Sequence, residues 1–211
     1  MQIMKKKVET LTIDQVEKLG NTAIFFAQNI YELNKTKLLK LVYLSEELFV
    51  KKHASPFLGL PFQAWQFGPV QKELYFNLDP NLINSDSDDR PSILADYIAM
   101  SKKANGNYIV KPRKNFSDDN FSDDEMSTIS HIADTYKNHD AKQLVFITHK
   151  GTSLWYKTII KENGLLERFE KKIQSTSDIT LDFADLLESE SAKEFYYSQL
   201  DLLEYSNSLK M

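Results

Sequence analysis

The sequence predicts a mainly α fold of the α+β class: a compact helical domain with a small antiparallel β-sheet or hairpin. Three observations carry this. Apolar residues recur at helical spacing in both halves of the chain. Capping signals precede several of these stripes. One Asn-Gly pair, Asn105-Gly106, lies between two short runs suited to strands. With 211 residues and 42% hydrophobic content, the chain can bury one sizeable core. We read residues 1–211 as a single domain, with no internal repeat and no long linker.

The elements follow in order. A first helix is expected from Asp14, an N-cap candidate, to about Leu33, with Val16, Leu19, Ala23, Phe26, Ala27 and Ile30 inward. A second begins after Asn34 or Lys35 and buries Leu38, Leu41, Val42, Ser45, Leu48 and Phe49. His53 to Leu60, with Pro56 and Gly59, reads as a loop. Phe62 to Phe67 alternates aromatic with small or polar residues, the period of a strand with one buried face. Gly68 then frees the backbone, and Pro69 suits the first position of a helix, where no N–H is needed. Asp79 to Pro91 is polar and acidic, as in a mobile surface loop. Tyr97–Met100 and Tyr108–Val110 predict a hairpin around Asn105-Gly106, in a sheet of two or three strands with 62–67 as the candidate third.

The second half reads as helical. Ser122 and Glu125 form a capping box, and Met126, Ile129, Ile132, Ala133 and Tyr136 give the buried stripe behind it. Asp140 caps the next helix, with Leu144 and Ile147 inward. A short helix from about Ser153 to Asn163 stops at Gly164. Lys171 to Asp178 is a polar connector, and helices near Leu181–Leu187 and Ser191–Leu209 close the chain.

Composition narrows the function. Net charge is −4, and only Arg90, Arg113 and Arg168 are arginines. An acidic chain poor in the usual bidentate reader of phosphate and guanine is a poor nucleic-acid binder. There is no Cys, which removes disulfides, thiol catalysis and Cys-ligated zinc. No apolar run reaches the ~18 residues of a membrane span. The basic cluster Met1–Lys7 leads into a polar, acidic stretch rather than an apolar signal core, so a cytoplasmic protein is expected.

No constellation points to catalysis. His139-Asp140 with His131 upstream has a faint likeness to HD-type phosphohydrolases, but the two histidines lack the i, i+4 spacing of helical zinc sites. Asp86, Asp88 and Asp89 fail the calcium-loop pattern, because Pro91 and Tyr97 stand where Gly and Glu are required. The run Asp118, Asp119, Asp123, Asp124 and Glu125 suits a helix start, with an acidic docking surface as the other reading. There is no Gly-rich phosphate cradle and no Gly-x-Ser-x-Gly elbow. Neither enzyme activity nor a cofactor, metal or nucleotide is expected.

Three blocks carry a resemblance. The first is Thr36-Lys37-Leu38-Leu39-Lys40-Leu41-Val42-Tyr43-Leu44. The second is Gln63-Ala64-Trp65-Gln66-Phe67-Gly68-Pro69-Val70-Gln71-Lys72-Glu73-Leu74-Tyr75. The third is Phe121-Ser122-Asp123-Asp124-Glu125, followed by Thr148-His149-Lys150 and Leu154-Trp155. In this order, over roughly residues 35 to 165, they resemble the Panacea domain, the antitoxin SocA-like family also known as phage-associated proteins. The resemblance implies a protein that binds and neutralises a cognate protein toxin, encoded by an adjacent gene. The alternative is a phage or mobile-element accessory protein, or a protease adaptor, with a different host partner. A homo-oligomer stays open. Acidic patches would suit a basic toxin.

Gly151 departs from the polar residue that the family pattern carries after Thr-His-Lys, so no salt bridge is carried over there. The candidate partner-binding residues are Trp65, Phe67, Tyr75, His149 and Trp155. For the first three, core packing and exposed anchoring remain alternatives. His149 reads first as a helix C-terminal residue packing on Trp155, and second as a direct contact.

Overall fold

The computed structural model describes residues 11–85 and 92–209. The basic cluster Met1–Lys7 and the acidic run at 86–90 lie outside the described residues. The organising element is a long helix, α2 (Lys35–His53), against which most other elements pack. Asn34 caps it by accepting from the Lys37 N–H at 2.9 Å. Lys51, Lys52 and His53 stand in its last turn, where cations suit the helix dipole. From Lys37 to Glu46 every residue of α2 is buried, so the helix is enclosed on all sides rather than along one face.

Helix α1 (Ile13–Asn29) precedes it. Its cap is Thr12, not Asp14. Thr12 and Gln15 form a reciprocal capping box that satisfies two otherwise unpaired N–H groups. The helix ends at Asn29, short of Leu33, because Ile30 is already extended.

The hairpin expected around Asn105-Gly106 forms, but the candidate third strand does not join it, and the described residues hold two short antiparallel pairs. One joins β1 (Phe62–Trp65) to β2 (Gly68–Gln71); the other joins β3 (Ile98–Lys102) to β4 (Tyr108–Pro112). Pro69 is therefore in a strand and does not open a helix. Gly68, at φ +94°, turns the chain back at Gln66-Phe67, and Pro69 pairs with Ala64. A proline is tolerated in so short a pair because its missing N–H can face away from the partner. Helix α3 (Lys72–Asn77) starts three residues later, capped by Gln71. The β3–β4 turn spans Lys103 to Asn107, wider than a two-residue Asn-Gly turn, with Gly106 at φ +83°.

Between the pairs lies a short helix, α4 (Pro80–Ile83), within the stretch expected to be a loop. The second half supplies α5 (Asp123–Tyr136), α6 (Ala141–Thr148), α7 (Leu154–Lys161) and α8 (Leu165–Glu170), then a 3-10 turn at Phe183–Leu186 and α9 (Glu190–Leu209). The capping boxes at Ser122/Glu125 and Asp140/Gln143 both form. Gly164, in the left-handed region, opens α8; α7 has already ended at Lys161. The buried apolar side chains form one contiguous cluster, drawn from both halves of the chain.

Candidate functional site

The β1–β2 hairpin carries three of the candidate residues, and its position is heavily determined. Its outer edge is not free. Residues 175–181, which span the end of the expected connector (Lys171 to Asp178) and the expected helix start at Leu181, instead run beside β1 and pair with it through Ala64 N–H to Ile179 O (2.8 Å), Gln66 N–H to Ser175 O (2.9 Å) and Leu181 N–H to Phe62 O (2.8 Å). The Gln66 amide also donates to Phe169 O at 2.8 Å.

His149 and Trp155 hold the hairpin from beneath. His149 is the C-cap of α6. Its Nδ1 lies 2.6 Å from Val145 O, and its Nε2 lies 3.0 Å from Gln66 O in the hairpin turn. A neutral imidazole has one N–H and donates to one of these carbonyls at a time; the protonated ring donates to both. Burial lowers the His149 pKa, the two carbonyls raise it, and nearby Lys40 lowers it again, with a net shift downward. Trp155 is 4% exposed, donates from Nε1 to Trp65 O at 2.8 Å, and packs on the His149 ring at 4.0 Å between centroids. The sequence had placed this His at a helix end against this Trp.

Trp65, Phe67 and Tyr75 lie on the other side of the hairpin. Together with Leu39 and Val70, they line an open groove of about 690 Å³ between the hairpin, the start of α2, α3 and α6. Trp65 and Tyr75 are partly buried and meet edge to face at 4.8 Å. The Lys35 ammonium lies 3.7 Å from the Tyr75 ring centre. Phe67 is different. It stands at the hairpin tip and is 67% exposed. Water gains nothing from a phenyl ring there, and the tip is fixed by the contacts below it.

The sequence reading missed one residue of this site, Lys40. Its side chain is 2% exposed, lines the groove, and donates from Nζ to Pro69 O at 2.9 Å. Burial pushes its pKa down to about 7. Gly68 makes room for it: a Cβ there would lie 2.7 Å from Lys40 Nζ and 2.9 Å from His149 Cε1. A signal was available, because Lys40 sits in an α2 segment that is apolar almost all round, and such a helix is buried with its charges.

The acidic residues at the start of α5 have local work. Glu125 completes the capping box and pairs with Lys18 at 2.5 Å, and Asp124 lies 3.8 Å from His53. No acidic side chain lines the groove. Among the described residues, no group of three His, Cys, Asp or Glu side chains could hold a metal, and no helix is long and apolar enough to cross a membrane.

Comparison with curated proteins and with solved structures returns no match. A family model does match. Residues 38–156, more than half of the chain, fit the antitoxin SocA-like, Panacea domain, and the match takes in α2 from Leu38 onward, the hairpin, Gly68, His149 and Trp155. This chain belongs to the antitoxin SocA-like, Panacea domain family.

Proposed function

We propose that this protein binds a cognate protein toxin through the groove beneath Phe67 and neutralises it by holding it, without catalysis. Membership of an antitoxin family supports an antitoxin-like role. The observation that carries the site is Phe67: a large apolar side chain, 67% exposed, on a braced tip above a 690 Å³ groove. Exposed aromatic anchors beside preformed pockets are the usual centres of binding energy. Trp65 and Tyr75 form the groove wall. His149 and Trp155 act through the hairpin they position, since both face its underside.

The test is rescue in cells. The protein is expressed together with the small protein encoded by the neighbouring reading frame, under conditions where the latter alone stops growth. Wild type restores growth, and Phe67→Ala restores it poorly at equal abundance. Full rescue by Phe67→Ala would place the interface elsewhere on the molecule. Absence of any growth arrest from the neighbouring protein would remove the toxin reading itself.

A further inference from the structure

We infer that the partner segment occupying this groove carries a carboxylate, which meets the buried ammonium of Lys40 while an adjacent apolar side chain packs against Phe67 and Val70. This rests on the groove being the partner site, and it specifies the chemistry of what enters.

An ammonium has three N–H donors and no acceptor. Among the described residues Lys40 uses one, on Pro69 O, and no carboxylate pairs with it. A buried cation without a counter-ion is costly to keep. Its location is informative, because Lys40, although only 2% exposed, belongs to the groove lining.

The surroundings point the same way. Lys142 also lines the groove, and Lys35 stands beside it on Tyr75. Asp79 acts on Lys35, but no Asp or Glu is among the lining side chains. So a chain with a net charge of −4 presents here a local pocket whose charged lining groups are all cationic, among apolar side chains and the hydroxyls of Thr36, Ser175 and Thr176. A neutral apolar segment would leave the spare N–H donors of Lys40 unpaired beneath it. A basic segment would add like-charge repulsion. An Asp or Glu side chain next to an aromatic or aliphatic one satisfies both features of the groove, and a charge-assisted bond formed away from water is stronger than a neutral one.

The experiment pans short random peptides displayed on phage against the full-length protein, and repeats the selection on Phe67→Ala and Lys40→Met. The inference expects peptides that need Phe67 for capture and that are enriched in Asp or Glu beside an apolar residue. Synthetic twins with Asp→Asn or Glu→Gln should bind wild type about tenfold more weakly or worse, and acid and amide twins should bind Lys40→Met equally. The twins measured on wild type decide the matter even if Lys40→Met folds poorly. Twins of equal affinity on wild type, with capture still dependent on Phe67, would overturn the Lys40 inference and leave the groove standing. Capture that ignores Phe67→Ala, or no captured peptide, would remove the groove as a peptide site and this inference with it.

Discussion

Helix α2 buries two opposite charges, Lys40 and Glu46, to almost the same depth, 2% and 1% exposed, yet it treats them differently. Both oxygens of Glu46 are bonded from within the fold. One oxygen accepts from the Phe57 N–H at 2.9 Å and the other from the Leu58 N–H at 2.8 Å, so the carboxylate ties the 54–60 loop onto the helix. Burial pushes its pKa up to about 7, against the pull of those N–H groups and of Lys18. Lys40 has one carbonyl partner and a groove beside it. A buried carboxylate bonded through both oxygens from within holds a loop in place. A buried charge whose capacity is left over, at the wall of an open groove, is a charge held ready for something outside.

Glu46→Ala leaves two buried N–H groups unpaired and a void under Phe57. It should cost about 3–5 kcal/mol of stability. Equilibrium denaturation measures it; a loss under about 1 kcal/mol would mean that the loop pairs elsewhere.

Next comes Gly68→Ala. The residue sits at φ +94°, and a Cβ would press on Lys40 Nζ and His149 Cε1. A cost of about 2 kcal/mol is expected, visible as a lower denaturation midpoint. An unchanged midpoint would show that the hairpin and Lys40 shift freely, contrary to a preformed site.

Lys40→Met has a smaller effect and the opposite sign. It removes an unpaired buried charge while leaving Pro69 O without its donor, for a net gain of about 1–2 kcal/mol at neutral pH. The pH dependence has a definite direction. The folded-state pKa of Lys40 is depressed to about 7 from 10.5, so its contribution to stability is present above 10.5 and is lost as pH falls through 7. The advantage of Lys40→Met over wild type should therefore shrink as pH rises from 7 towards 10.5. Denaturation midpoints of the two proteins across that window check it. A difference that stays constant would mean that the fold does not depress the Lys40 pKa.

Much of this architecture can be read from residues alone, and the failures have physical causes. The capping box at Ser122, the cap at Asp140 and the break at Gly68 are local chemistry, and they form where local rules place them. Pro69 misled because the rule for a helix start and the tolerance of a short strand pair use the same missing N–H. The pairing of 175–181 with β1 joins segments more than a hundred residues apart through main-chain groups, and side-chain pattern carries no trace of it. Lys40 and Glu46 were passed over because lysine and glutamate on a helix usually mark its wet face. Here Leu38, Leu39, Leu41, Val42, Tyr43 and Leu44 leave α2 no such face. Trp65, Phe67 and Tyr75 were identified as a set from the sequence, but only coordinates separate the exposed tip from the groove wall.

The central claim is that Phe67 and its groove receive the partner protein. The most direct measurement is the affinity of Phe67→Ala for the neighbouring gene's product, taken together with its thermal unfolding. The side chain is mostly in water, so stability should change by less than about 0.5 kcal/mol. If it is the anchor, binding should weaken by about 2 kcal/mol or more, roughly thirtyfold. Unchanged affinity at unchanged stability would contradict the account and move the interface off the hairpin.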